Sequence, residues 1–132
     1  EYEMKPFEIR VQTLDRTLVD KVFAICDYAI SNNTTGYSRH IYDLHRLLSI
    51  VVLDDKLKAL VKEVREERKT HERCYTAQEK FNIPSILKQI IDERIYYKDY
   101  KEITQKVLFD GTSYETSITA LHKIIESGVF EK

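Results

Sequence analysis

The chain has 132 residues, of which 42% are hydrophobic and 33% charged, and a formal net charge of -1. That length makes a single domain able to bury a real core. The charge balance excludes bulk electrostatic attraction to nucleic acid and leaves only local basic patches for such a role. No apolar run approaches a membrane span and no secretory pattern is visible, so the chain reads as soluble.

Three glycines and two prolines, with apolar residues recurring every three or four positions, predict a mainly helical, all-α fold. The exception is "PFEIRVQ" (6–12), where Phe7, Ile9 and Val11 alternate with polar residues and predict a short N-terminal β-strand. Thr13 then caps a first helix running to about Ser31, which "NNTTG" (32–36) ends. Ser38 caps a second over about 39–52, and a third runs from Asp55 to about Lys69 with Leu57, Leu60, Val61 and Val64 in one stripe. Residues 70–82 form a polar connection before Pro84, which opens a fourth helix through "SILKQIIDE". A fifth covers 98–109. The sixth starts at Thr112 or Ser113, with Thr112 and Glu115 spaced as a capping box, and closes at Gly128.

Two charged residues fall on the borders of otherwise apolar stripes. In "RTLVDKVFAICDY" (16–28), Lys21 lies at the rim of the stripe made by Leu14, Leu18, Val22, Ile25 and Ala29. In "SRHIYDLHRLL" (38–48), Asp43 edges the stripe of Ile41, Leu44, Leu47, Leu48 and Val51, with Arg39 four residues before it and Arg46 three after. Two readings are open. In one, Lys21 rests its stem on apolar surface and Asp43 pairs with Arg39 or Arg46 within its helix. In the other, adjacent helices bring Lys21 and Asp43 to one cleft, where an ammonium binds phosphate and a carboxylate orients or deprotonates a nucleophile.

"TLDRTLVDKVFAICDY" followed by "RHIYDLHRLL" resembles the AbiEii/AbiGii family of nucleotidyltransferase-like toxins, whose helical half carries a lysine helix and then an arginine-led "RDxYDL"-type helix. The resemblance implies that Lys21 contacts the triphosphate of a bound nucleotide, that Asp43 serves the active site, and that Arg39 is the leading arginine of the second helix. His40 stands where the family more usually has an acidic residue. The resemblance further implies a bacterial, cytoplasmic toxin of a toxin–antitoxin or abortive-infection system. Its implied partners are a nucleoside triphosphate, Mg2+, an acceptor RNA (tRNA in particular) and a cognate antitoxin.

A polymerase-beta-like core needs a Gly-Ser turn and an Asp-x-Asp pair for two-metal displacement. Gly36, Gly111 and Gly128 precede Tyr37, Thr112 and Val129, and no Asp-x-Asp occurs. The expectation is therefore one helical domain over 1–132, the C-terminal half of such a nucleotidyltransferase, inactive and binding neither Mg2+ nor nucleoside triphosphate on its own without its catalytic core. The rival expectation is a stand-alone helical module that binds protein or nucleic acid and catalyses nothing.

Other motifs each admit two readings. Lys58, Lys62, Arg65 and Lys69 share a narrow stripe that could track a nucleic-acid backbone, or form a solvated face with Lys62 paired to Glu66. "RIYYKDYK" (94–101) could stack bases on Tyr96, Tyr97 and Tyr100, or pack those rings at a helix junction. His40 and His45 are five apart and do not share a helical face, and His71 with Cys74 supplies only two ligands, so no metal set is identified. Cys26 in an apolar run and Cys74 in a polar one make poor disulfide material, which favours a reducing compartment. His122 is expected on a helix surface.

Overall fold

The computed structural model describes the backbone of residues 6–132 and the side chains of residues 13–132. Its helices are α1 (Pro6–Ile30), α2 (Arg39–Leu47), α3 (Asp55–Arg68), α4 (Ile83–Asp92), the short α5 (Tyr97–Asp99) and α6 (Gln105–Val107), and α7 (Tyr114–Ser127). α1 is the hub, packed against α2, α3 and α4, while α7 closes the far side on α2 and α4. No helix among the described residues is long and apolar enough to cross a membrane.

The strand expected over 6–12 is absent: those residues are the first turns of α1, and the described residues contain no strand. Phe7, Val11, Leu14 and Leu18 are spaced four, three and four apart, a helical period that extends the α1 stripe. Pro6 suits a first helical position because its missing N–H costs nothing there. A lone strand would also have had no partner to satisfy its edges. Thr13 is accordingly not a cap; its carbonyl accepts from the Thr17 hydroxyl at 2.8 Å inside the helix.

Three other starts use side-chain caps that satisfy free N–H groups. Asp54 accepts from Leu57 N at 3.0 Å and Asn82 from Ser85 N at 2.9 Å. At α7 the cap is Ser113, accepting from Thr116 N at 3.1 Å, and not the Thr112–Glu115 box, because Asp110 holds Thr112. Gly128 ends α7 at φ +74°, where a side chain would be strained.

Ser38 stands at the start of α2, but its hydroxyl makes no cap. It is bonded to the Thr104 hydroxyl at 2.7 Å, while the Asp99 carboxylate accepts from Gly36 N at 2.9 Å and Ser38 N at 3.2 Å. The α1–α2 loop is thus tied to the segment that the sequence assigned to a fifth helix. That segment is helical but carries a π turn over Tyr100–Thr104 between α5 and α6. A π turn adds one residue to the winding. Tyr100 lies fully buried within it, its hydroxyl bonded to Ser117 Oγ at 2.7 Å and to Thr112 O at 2.8 Å.

Leu18, Val22, Phe23 and Ile25 of α1 are fully buried, with Leu44, Val61, Leu87, Ile90 and Leu121 from the surrounding helices. The last buried residues are Val129 and Phe130. Phe130 meets Phe23 edge-on with ring centroids 5.6 Å apart, and its carbonyl accepts from Arg65 Nη2 at 3.2 Å. The Arg65 guanidinium lies 5.7 Å from the Phe23 ring centre. Burial lowers its pKa from the ordinary arginine value.

Candidate functional site

Lys21 leaves α1 on the side facing the start of α2. Its Nζ is 3.1 Å from Asp43 Oδ2 and 3.3 Å from His40 Nδ1. An ammonium has only donors, so His40 receives this contact on an unprotonated Nδ1. Burial, and then the Lys21 charge, lower the His40 pKa, opposed by Asp43. The other Asp43 oxygen, Oδ1, is 3.7 Å from Arg39 Nε. Lys21 and Asp43 side chains are about one quarter exposed, at 24% and 26%, so solvent reaches the pair without bathing it.

Asp43 thus makes both an intrahelical contact with Arg39 and an interhelical one with Lys21. Arg46, the alternative intrahelical partner, turns instead to Asp110 at 3.5 Å, which also accepts from the Tyr42 hydroxyl at 3.1 Å.

Lys21 and His40 border a hollow of about 420 Å³ whose other walls include Thr17, Asp20 and Arg68. A second hollow of about 490 Å³ adjoins it, sharing Ala24, Tyr28 and Arg68 and continuing past Tyr37 to Arg73 and Tyr75. Arg68 lines both. It holds Asp27 at 3.0 Å and Asp20 at 3.4 Å, with its guanidinium 5.4 Å from the Phe23 ring centre. Asp27 is only 5% exposed and also accepts from the Thr76 backbone N–H at 2.8 Å and from the Thr76 hydroxyl. This buried carboxylate fastens the 3₁₀ turn Tyr75–Ala77 to α1 and α3.

Sequence reasoning named none of Asp27, Arg68, Tyr28, Tyr37, Arg73 or Tyr75. The one local signal was an aspartate inside the apolar run "AICDYAI". An acid there demands buried partners.

The remaining candidates separate into structural and surface groups. Arg65 is buried, its guanidinium donating to the Phe130 carbonyl, and it borders one hollow with Lys62 and Lys69, while Lys58 is half-buried. Lys69 is engaged by Glu66 at 2.9 Å and Glu79 at 3.7 Å. Tyr96 is fully buried and donates to Ile25 O at 2.6 Å, and Tyr97 packs edge-on against Tyr114. These tyrosines pack a helix junction. Cys26 and Cys74 are free thiols, both pushed up in pKa chiefly by burial. His71 and His122 are exposed. Among the described residues no three of His, Cys, Asp and Glu converge as a metal-binding group.

A family model described as nucleotidyl transferase AbiEii toxin, type IV toxin–antitoxin system, matches residues 1–123. Neither a curated protein nor a solved structure matches the chain.

Proposed function

Because the chain belongs to the AbiEii nucleotidyl transferase toxin family, we propose that it is the helical domain of a toxin that transfers a nucleotide from a nucleoside triphosphate to RNA, tRNA in particular, under control of a cognate antitoxin. The observation that carries this reading is the Lys21 ammonium held between Asp43 and His40 on the wall of an open groove.

In such a transfer the acceptor hydroxyl oxygen bonds to the α-phosphorus, the bond from that phosphorus to its bridging oxygen breaks, and pyrophosphate departs. Lys21 supplies positive charge to the triphosphate, with the more exposed Arg39 beside it. Asp43 first holds Lys21 in place. As the ammonium turns toward phosphate, Asp43 regains an oxygen with which to orient the acceptor hydroxyl and receive its proton. His40, neutral, keeps a second acceptor on Lys21 without adding a competing charge.

Magnesium does not fit the residues described. No metal-binding group converges there, and both Asp43 oxygens face cations. In this reading the ion and the α-phosphate belong to a catalytic core outside these 132 residues, which contain neither a Gly-Ser turn nor an Asp-x-Asp pair.

Calorimetric titration of the full-length toxin with a nucleoside triphosphate tests the assignment. Lys21→Ala should weaken binding by about 1.5 to 3 kcal/mol, the usual worth of a charge-assisted phosphate contact, with an unchanged circular dichroism spectrum. Asp43→Asn should leave triphosphate binding intact, since it releases Lys21 from its competitor. Equal affinity in Lys21→Ala and the parent would reduce the Lys21–Asp43 pair to a tether between helices.

A further inference from the structure

The hollow of about 490 Å³ has a wall unlike the rest of the surface. The Tyr28 and Tyr37 rings lie face to face with centroids 3.7 Å apart and planes within 8°. His40 is parallel to both, 6.2 Å from one and 6.3 Å from the other. Being equidistant, it sits beside the pair and not on top of it. Three coplanar-facing rings thus run from the Lys21 end of the groove into the second hollow.

The second hollow adds complementary chemistry. Tyr75 lines it and is 41% exposed. Asn33, also lining it and exposed, offers an amide with both donor and acceptor. Arg73 lines it too, is exposed, and makes no ion pair among the described residues. Asp27, the carboxylate of this hollow, is already engaged by Arg68 and Thr76. A flat π-face, an edge-reading amide and an uncommitted guanidinium are the requirements of an unpaired nucleotide, for its base face, base edge and phosphate.

We propose that this hollow seats an unpaired nucleotide of the acceptor strand and that the strand's end passes the shared wall at Ala24, Tyr28 and Arg68 toward Lys21, the partner of Asp43. The proposal rests on the transferase reading and deepens it by naming where the acceptor lies. A polymer suits the site better than a free nucleotide because the two hollows adjoin at a shared wall and the cations Lys21 and Arg73 line different hollows. A duplex does not suit it, since paired bases cannot offer their faces.

The test uses the 132-residue chain, a short fluorescently labelled single-stranded oligoribonucleotide, and anisotropy. Tyr75→Ala and Arg73→Ala alter exposed side chains and should retain the parent's thermal transition. Each should weaken strand binding about tenfold, and Arg73→Ala should also shallow the salt dependence by about one phosphate contact. The same sequence as a duplex should bind more weakly than the single strand.

Adenosine monophosphate competing as well as the strand would assign the hollow to a free nucleotide and overturn the proposal. So would strand affinity unchanged in both variants, or no strand binding by the parent chain. Triphosphate binding by Lys21→Ala in the full-length toxin is measured alongside. Silent Tyr75 and Arg73 variants with a defective Lys21→Ala sink only the acceptor site; the opposite pattern sinks only the triphosphate assignment.

Discussion

Asp27→Ala removes the carboxylate that fixes the floor of the groove, and its cost follows from what is left behind. The Thr76 backbone N–H, now 2.8 Å from Asp27 Oδ1, loses its acceptor in a fully buried position. An orphaned buried donor costs about 1 to 3 kcal/mol. The Thr76 hydroxyl loses the same oxygen and keeps only the Phe23 carbonyl at 3.5 Å, the outer limit of a hydrogen bond. Arg68 loses its shorter ion pair at 3.0 Å but retains Asp20 at 3.4 Å, so its charge is not stranded. The orphaned donor and the lost hydroxyl bond together cost about 2 to 4 kcal/mol. Urea denaturation followed by far-ultraviolet circular dichroism should show a lower midpoint at unchanged slope. Thr76→Val, combined with Asp27→Ala, should cost less than the sum of the two because the partners share one interaction. A loss below about 1 kcal/mol, typical of a surface site, would refute the argument.

Three further outcomes are expected. Burial and Lys21 hold the His40 pKa below its ordinary 6.5, so the unfolded chain takes up the proton first as pH falls. His40 therefore contributes fully above about pH 6.5, and the contribution is lost as pH drops through the lower folded value; urea midpoints from about pH 7.5 to about pH 5 should fall less steeply in His40→Gln. Tyr96→Phe deletes the buried hydrogen bond to Ile25 O and should cost about 0.5 to 1.5 kcal/mol in thermal or urea unfolding, the net worth of one such bond, since the carbonyl keeps its helical partner. Leu18→Ala, at a fully buried position, should cost about 2 to 5 kcal/mol by opening a cavity, whereas Lys21→Ala should cost no more than about 1 kcal/mol.

The legible parts of the molecule were those set by local periodicity and caps. The bounds of α3 and the start of α4 follow from an apolar stripe and from Pro84, both written within one or two turns. The border positions of Lys21 and Asp43 likewise follow from helical geometry, and the structure puts their tips 3.1 Å apart. The segment 6–12 misled because three apolar residues at period two also contain two members of a period of about 3.6, and only Leu14 and Leu18 downstream break the tie. The basic stripe of α3 hid a distant partner. Arg65 shares a sequence spacing with Lys62 and Lys69, yet Phe130, far along the chain, covers it. Asp27, Arg68 and Thr76 were unreadable as a site because the contacts joining them span 41 and 49 residues. The π turn had no signature that spacing could show.

The latch made by Phe130 over Phe23 and Arg65 bears on where this unit ends. The family resemblance runs to residue 123, but Ile124, Val129 and Phe130 are all buried and α7 itself continues to Ser127. The boundary that sequence similarity recognises and the boundary at which the core closes are therefore different places. A fragment ended at the first would amputate the last turn of α7, uncover an aromatic ring on α1, and take away the carbonyl partner of Arg65. Anyone excising, grafting or fusing this domain should cut beyond residue 130.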